Sequence, residues 1–84
     1  MINIKDDNGL KKTGEHLKKL RKQYKLSGEE LAYRSNISHS QITRIESGNQ
    51  NPTLSTLISI CKGLNISLED FFRGLDYPTI KRKK

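Results

Sequence analysis

Apolar residues in this chain recur at spacings of three and four, and no stretch alternates as a half-buried strand would. Leu17, Leu20 and Tyr24 form one such stripe with lysines opposite, which predicts a first helix over residues 13–24 with Thr13 as its N-cap. Residues 1–10 carry acids, Asn and Gly without periodicity and are expected to form a flexible arm. Three further starts share one signal, an apolar residue followed by Ser, two variable residues and an acid or amide. The instances are Leu26-Ser27-Gly28-Glu29-Glu30-Leu31, Ile37-Ser38-His39-Ser40-Gln41-Ile42 and Ile66-Ser67-Leu68-Glu69-Asp70-Phe71. In each, the Ser hydroxyl can accept from the N–H three residues on, while the side chain there reaches back to the Ser N–H. Asp70 is too short to do the second part well.

These signals place a second helix over residues 28–35 and a third over 39–47, capped by Ser38 and stopped by Gly48. Only Asn36, Ile37 and Ser38 separate the two, so the helices must cross steeply, as in a helix-turn-helix. A fourth helix begins at Thr53 and carries Leu54, Leu57, Ile58, Cys61 and Leu64 on one face. A short fifth covers residues 68–73, and residues 74–84 are expected to be an extended or frayed basic tail. The prediction is an all-α, five-helix domain over residues 11–73.

Charge narrows the function. Sixteen Lys and Arg against nine acids give +7, which points to a polyanionic partner. Four of those cations are Lys81, Arg82, Lys83 and Lys84, and without them the charge is about +3 (7 − 4). A more local basic run, Lys11 to Lys25, holds a single acid, Glu15. With 84 residues and 32% hydrophobic content the core must be thin, a state that dimerisation would help. One cysteine, Cys61, forms no internal disulfide and sits on the core stripe as a small hydrophobe. His16 and His39 have no partner at metal-ligand spacing, and no nucleophile or acid–base pair is evident. The expectation is a non-enzymatic cytoplasmic protein with no cofactor, no metal, no membrane segment and no small-molecule effector.

The third helix carries the candidate chemistry. Ile42 and Ile45 must face the core, which distributes His39, Ser40, Gln41, Thr43 and Arg44 over the remaining surface. A recognition helix offers its N-terminal half to base edges in the major groove. Arg44 suits the two acceptors of guanine, Gln41 suits adenine, and Ser40 takes either role. His39 can donate to an acceptor or to phosphate, and the helix N-terminus with Ser38 also suits phosphate. Glu46 is an acid near where phosphate would lie, and pairing with Arg21 within the fold would resolve that.

Residues 14–72 resemble the helix-turn-helix family of the lambdoid phage repressors, Cro and the xenobiotic-response-element regulators. The matching residues are Leu17-x-x-Leu20-Arg21, Ser27-x-Glu29-Glu30-Leu31-Ala32, Ser38-x-x-x-Ile42-x-Arg44-Ile45-Glu46-x-Gly48, Pro52-Thr53-Leu54-x-Thr56-Leu57 and Leu64-x-Ile66. The resemblance implies five helices, with base reading by His39, Ser40, Gln41 and Arg44. It puts backbone contacts on Ser38, Thr43, Asn49 and Asn51, and a structural ion pair on Arg21 and Glu46. It makes Ala32 the small residue between the second and third helices. For pairing of two copies it nominates Ile60, Leu64, Leu68 and Phe72, which could equally complete a thin core. One position departs from the pattern. Gly28 stands where the family usually has a phosphate-contacting Gln, so first-helix lysines or the tail would have to substitute.

The function expected from the sequence is that of a transcriptional regulator, a repressor, that binds double-stranded DNA as a homodimer through a recognition helix running from Ser38 to Ser47. Controllers of restriction-modification systems and antitoxins both fit this size. The rival expectation is a protein-interaction adaptor, or an antitoxin, that uses the fold without reading DNA. Deleting Lys81, Arg82, Lys83 and Lys84 should weaken binding to all DNA sequences alike and flatten the salt dependence. Titrations at several salt concentrations check this, and a loss confined to one preferred sequence would contradict it.

Overall fold

Every helix start in the computed structural model is a side-chain cap. The structure describes residues 6–75 and residue 77. Its helices are α1 (Asp7–Gln23), α2 (Gly28–Ser35), α3 (His39–Glu46), α4 (Leu54–Leu64) and α5 (Leu68–Phe72), with no strand among the described residues. Ser27 and Ser38 close full capping boxes with Glu30 and Gln41. Ser67 accepts from the Asp70 N–H at 3.0 Å, and Thr53 caps α4 in the same way at 3.1 Å. Each cap contributes about 1 kcal/mol.

The helix stops follow a rule of their own. Lys25, Asn36 and Asn65 adopt left-handed backbone, at φ 58°, 57° and 60°. In each case the next residue donates its N–H to a carbonyl five residues back: Leu26 to Arg21, Ile37 to Ala32, and Ile66 to Cys61. The left-handed residue itself bonds to the carbonyl three back. This is the Schellman stop. Each of these linkers therefore ends in the same three residues, a left-handed residue, an apolar residue, and the Ser that caps the next helix, with Tyr24 added ahead of them between α1 and α2. So short a joint leaves the angle between successive helices little freedom.

The core is built from Leu17, Leu26, Leu31, Ala32, Ile42, Ile45, Ile60, Cys61, Leu64 and Phe71. Phe71 sits at its base, edge-on to both His16 and Phe72, and His16 Nε2 donates to the Phe71 carbonyl. The main packing pairs are α2 with α4, α1 with α3 and α2 with α3. At Gly14 the first and third helices meet backbone to backbone. A Cβ there would lie 2.3 Å from the Ile45 carbonyl oxygen and 2.6 Å from that of Glu46. Burial raises the Cys61 thiol above its ordinary value, in keeping with a place in the core.

Five expectations are corrected. The first helix starts at Asp7, because Asp6 accepts from the Gly9 N–H at 2.9 Å and Asp7 favours the positive helix end. The arm therefore cannot reach residue 10, and residues 1–5 lie outside the described residues. Thr13 is no cap, since its hydroxyl bonds back to the Gly9 carbonyl at 2.8 Å in mid-helix. The fourth helix is rotated from the expected stripe. Ile60, Cys61 and Leu64 are buried and Leu57 half-buried, while Leu54 is 64% exposed and Ile58 also faces solvent. As a result Ile60 (0% exposed) and Leu64 (4%) are core residues and unavailable to a partner; Leu68 packs against the core, and of the four nominees only Phe72 is exposed. The tail also begins later than residue 74, because Leu75 packs on the core and the Tyr77 hydroxyl bonds to that of Thr13. The basic run at residues 81–84 lies outside the described residues.

Lys25 is strained where glycine would not be, because a left-handed backbone brings its Cβ against the following carbonyl. Lys25→Gly should stabilise the protein by about 0.5–1 kcal/mol after the extra flexibility of the unfolded chain is counted. Urea denaturation measures this; a loss of stability would contradict it.

Candidate nucleic-acid interface

The third helix has eight residues and two apolar ones, Ile42 and Ile45, both buried. Its other residues must lie outside or along the edge of that stripe. His39, Ser40, Thr43 and Arg44 are exposed, while Gln41 and Glu46 are half-buried at the margin. Ser38, Asn49 and Asn51 are exposed beside them. The residues singled out for DNA contact thus all belong to α3, its N-cap and the loop after it.

Their hydrogen bonds sort them. Ser38 Oγ accepts from the Gln41 N–H at 3.1 Å, which leaves its own proton free for an outside acceptor. Gln41 Oε1 returns to the Ser38 N–H at 3.5 Å, a weak bond that ties up the oxygen adenine would need. Capping and base reading therefore compete for the same carboxamide. The Thr43 hydroxyl donates to the His39 carbonyl at 3.1 Å, and the Asn49 amide donates to Ser47 Oγ at 3.1 Å.

His39 is explained by the glycine opposite it. A Cβ at Gly28 would lie 2.8 Å from His39 Nε2, so the imidazole occupies space that any larger residue at position 28 would claim. The ring borders a cleft of about 250 Å³ lined also by Lys18, Arg21, Ile42, Thr43, Glu46 and Ser47. Lys18 is the first-helix lysine that lines this cleft, and the sequence did not single it out from the six other lysines and arginines of the same basic run.

Arg21 and Glu46 form the ion pair that the charge pattern suggested. Arg21 Nε donates to Glu46 Oε2 at 2.7 Å, Nη2 donates to Oε1 at 3.0 Å, and Nη1 donates to the Leu26 carbonyl at 2.9 Å. The two side chains are only 13% and 10% exposed. The hydrogen bond to Glu46 holds the guanidinium above its ordinary pKa despite partial burial. The charge of Glu46 is thus matched within the fold. Gln50 is a second residue that sequence reasoning missed: its Oε1 accepts from Arg44 Nε at 3.0 Å.

The helix-turn-helix family pattern matches residues 17–71 of this chain. The chain belongs to the helix-turn-helix family. This helix-turn-helix protein is 36% identical over 72 residues to the Escherichia coli regulator PuuR, a match covering 86% of the chain but 38% of PuuR. It is 38% identical over 55 residues to the immunity repressor of Bacillus phage phi105, covering 66% of the chain and 38% of the repressor. It spans well under half the length of either. Among solved structures it superposes on the restriction-modification controller C.AhdI from Aeromonas hydrophila with a TM-score of 0.73 at 32% identity, covering 75% of this chain and 96% of the controller. The controller C.Esp1396I gives a TM-score of 0.74 at 37% identity, covering 77% and 86%. No helix among the described residues is long and apolar enough to cross a membrane.

Arg21→Ala would leave a nearly buried Glu46 carboxylate without its partner. The expected loss is about 2–4 kcal/mol of stability, with part recovered in the double variant Arg21→Ala, Glu46→Ala. Denaturant unfolding of the three variants measures it. A single variant within about 0.5 kcal/mol of the parent, the ordinary range for surface changes, would show that the pair is not structural.

Proposed function

We propose that this protein is a sequence-specific transcriptional regulator, a repressor, that binds a two-fold symmetric operator as a homodimer. Each subunit inserts α3 into one major groove. The observation that carries this reading is the outward polar face of α3, with His39, Ser40, Thr43 and Arg44 exposed and the helix held from behind by Ile42 and Ile45. Arg44 contacts a guanine and Ser40 a neighbouring base edge. His39, seated over Gly28, takes the phosphate side of the interface with Lys18, and Ser38, Asn49 and Asn51 approach the backbone from the two ends of α3. The net charge of +7 supplies the long-range attraction.

The match over 96% of C.AhdI favours a controller-like setting over an antitoxin, since the five helices here correspond to nearly all of that protein. Pairing of two copies is assigned to exposed apolar residues, Leu54 and Ile58 one turn apart on α4 and Phe72 on α5.

Footprinting on DNA from upstream of the protein's own gene, repeated over a salt series, tests the proposal. The expected result is two protected half-sites about one helical turn apart, with an affinity that falls steeply as salt rises. Absence of protection, or binding indifferent to salt, would overturn it in favour of an adaptor that does not touch DNA.

A further inference from the structure

We infer that Gln50 is a positioning residue for base recognition, holding the Arg44 guanidinium in one orientation before DNA arrives. The inference rests on the reading of α3 as the groove-entering helix and adds a residue to its specificity.

The backbone makes this possible. α3 ends in a Schellman stop with Gly48 at φ 80°, where the Gly48 N–H bonds to the Ile45 carbonyl at 3.1 Å. The Asn49 N–H bonds to the carbonyl of Arg44 itself at 2.8 Å. The chain is therefore turned back onto the residue whose side chain it will hold. Gln50 follows immediately, half-buried, and its carboxamide oxygen accepts from Arg44 Nε at 3.0 Å. Arg44 is thus held at its main chain by Asn49 and at its side chain by Gln50.

The consequence lies in which donors remain. A guanidinium can meet the two acceptors of guanine either through its two terminal nitrogens or through Nε and one of them. With Nε engaged by Gln50, only the two terminal nitrogens are left. One approach direction is selected, and the ordering of a long exposed side chain is completed before binding. An arginine free to rotate would satisfy acceptors at neighbouring base pairs as well. Gln50 thereby narrows the preference of Arg44 rather than adding general affinity.

Relative affinities for operators carrying each base at each position provide the test, measured on the full-length protein and its variants. Gln50→Ala should reduce discrimination at the base pair read by Arg44 about three- to tenfold, the range expected for loss of one preordered side chain, with the salt slope unchanged. Gln50→Glu keeps an acceptor for Nε and should keep the discrimination, although its added charge lowers affinity for all sequences. Arg44→Ala should abolish preference at that position, and adding Gln50→Ala to it should cost nothing further there. Preference lost in Arg44→Ala but intact in Gln50→Ala would overturn the positioning role alone. A further loss in the double variant would make Gln50 an independent reader and overturn it too. No base preference in the parent protein would instead overturn the groove-reading proposal, and this inference with it.

Discussion

A helix of eight residues with two isoleucines can bury one narrow stripe, and the rest of this protein is arranged around that limit. Ile42 and Ile45 face inward against α1 and α2, and no other apolar residue exists on α3 to bury a second face. Contact with α1 fixes the rotation. At Gly14 the two backbones touch, and about two turns further along α1 the Arg21 guanidinium clasps Glu46 with two hydrogen bonds. A side chain at position 14 would push the end of α3 outward, and a lost ion pair would free it to roll. Steric contact and ion pair together keep the polar edge of α3 in solvent.

The joints between helices supply the remaining order. Capping by Ser and stopping by a left-handed residue are local events, each worth on the order of 1 kcal/mol, and here they are fused into linkers of three or four residues. The apolar residue in the middle of each linker, Leu26, Ile37 or Ile66, is buried or packs against the core, so the joint is tied to the tertiary structure as well. A domain with so little hydrophobic residue to spend gains much of its shape from these junctions. They also deliver function. The Gly48 stop returns the chain over Arg44, and the Ser38 cap leaves a hydroxyl at the edge of the proposed interface.

How far the sequence discloses this depends on whether the deciding contact is local. The starts of α2, α3 and α5 were legible because the capping Ser and its partner lie three residues apart. The start of α1 was hidden by Asn8 and Gly9, poor helix formers that mask the Asp6 cap, although two adjacent acids were a usable signal. On α4 six apolar residues from Leu54 to Leu64 span more than one face, and it is the packing of α2 and α5 against the helix that selects Ile60, Cys61 and Leu64. The opposite charges of Arg21 and Glu46 could be read as a pair because Glu46 would otherwise be an awkward acid at that position. The seating of His39 on Gly28 and of Gln50 on Arg44 are contacts across a turn, with no periodicity to announce them.

The central claim is that the polar side of α3 stands free in the isolated protein and becomes covered only by duplex DNA. Backbone amide NMR during titration with a short duplex containing the footprinted sequence measures this directly. The account predicts that the largest shifts cluster at residues 38–51 and beside Lys18, while Leu54, Ile58 and their neighbours on α4 change little. Shifts concentrated on α4 and α5, or a DNA-free protein in which the α3 amides are already shielded by a second subunit, would contradict it.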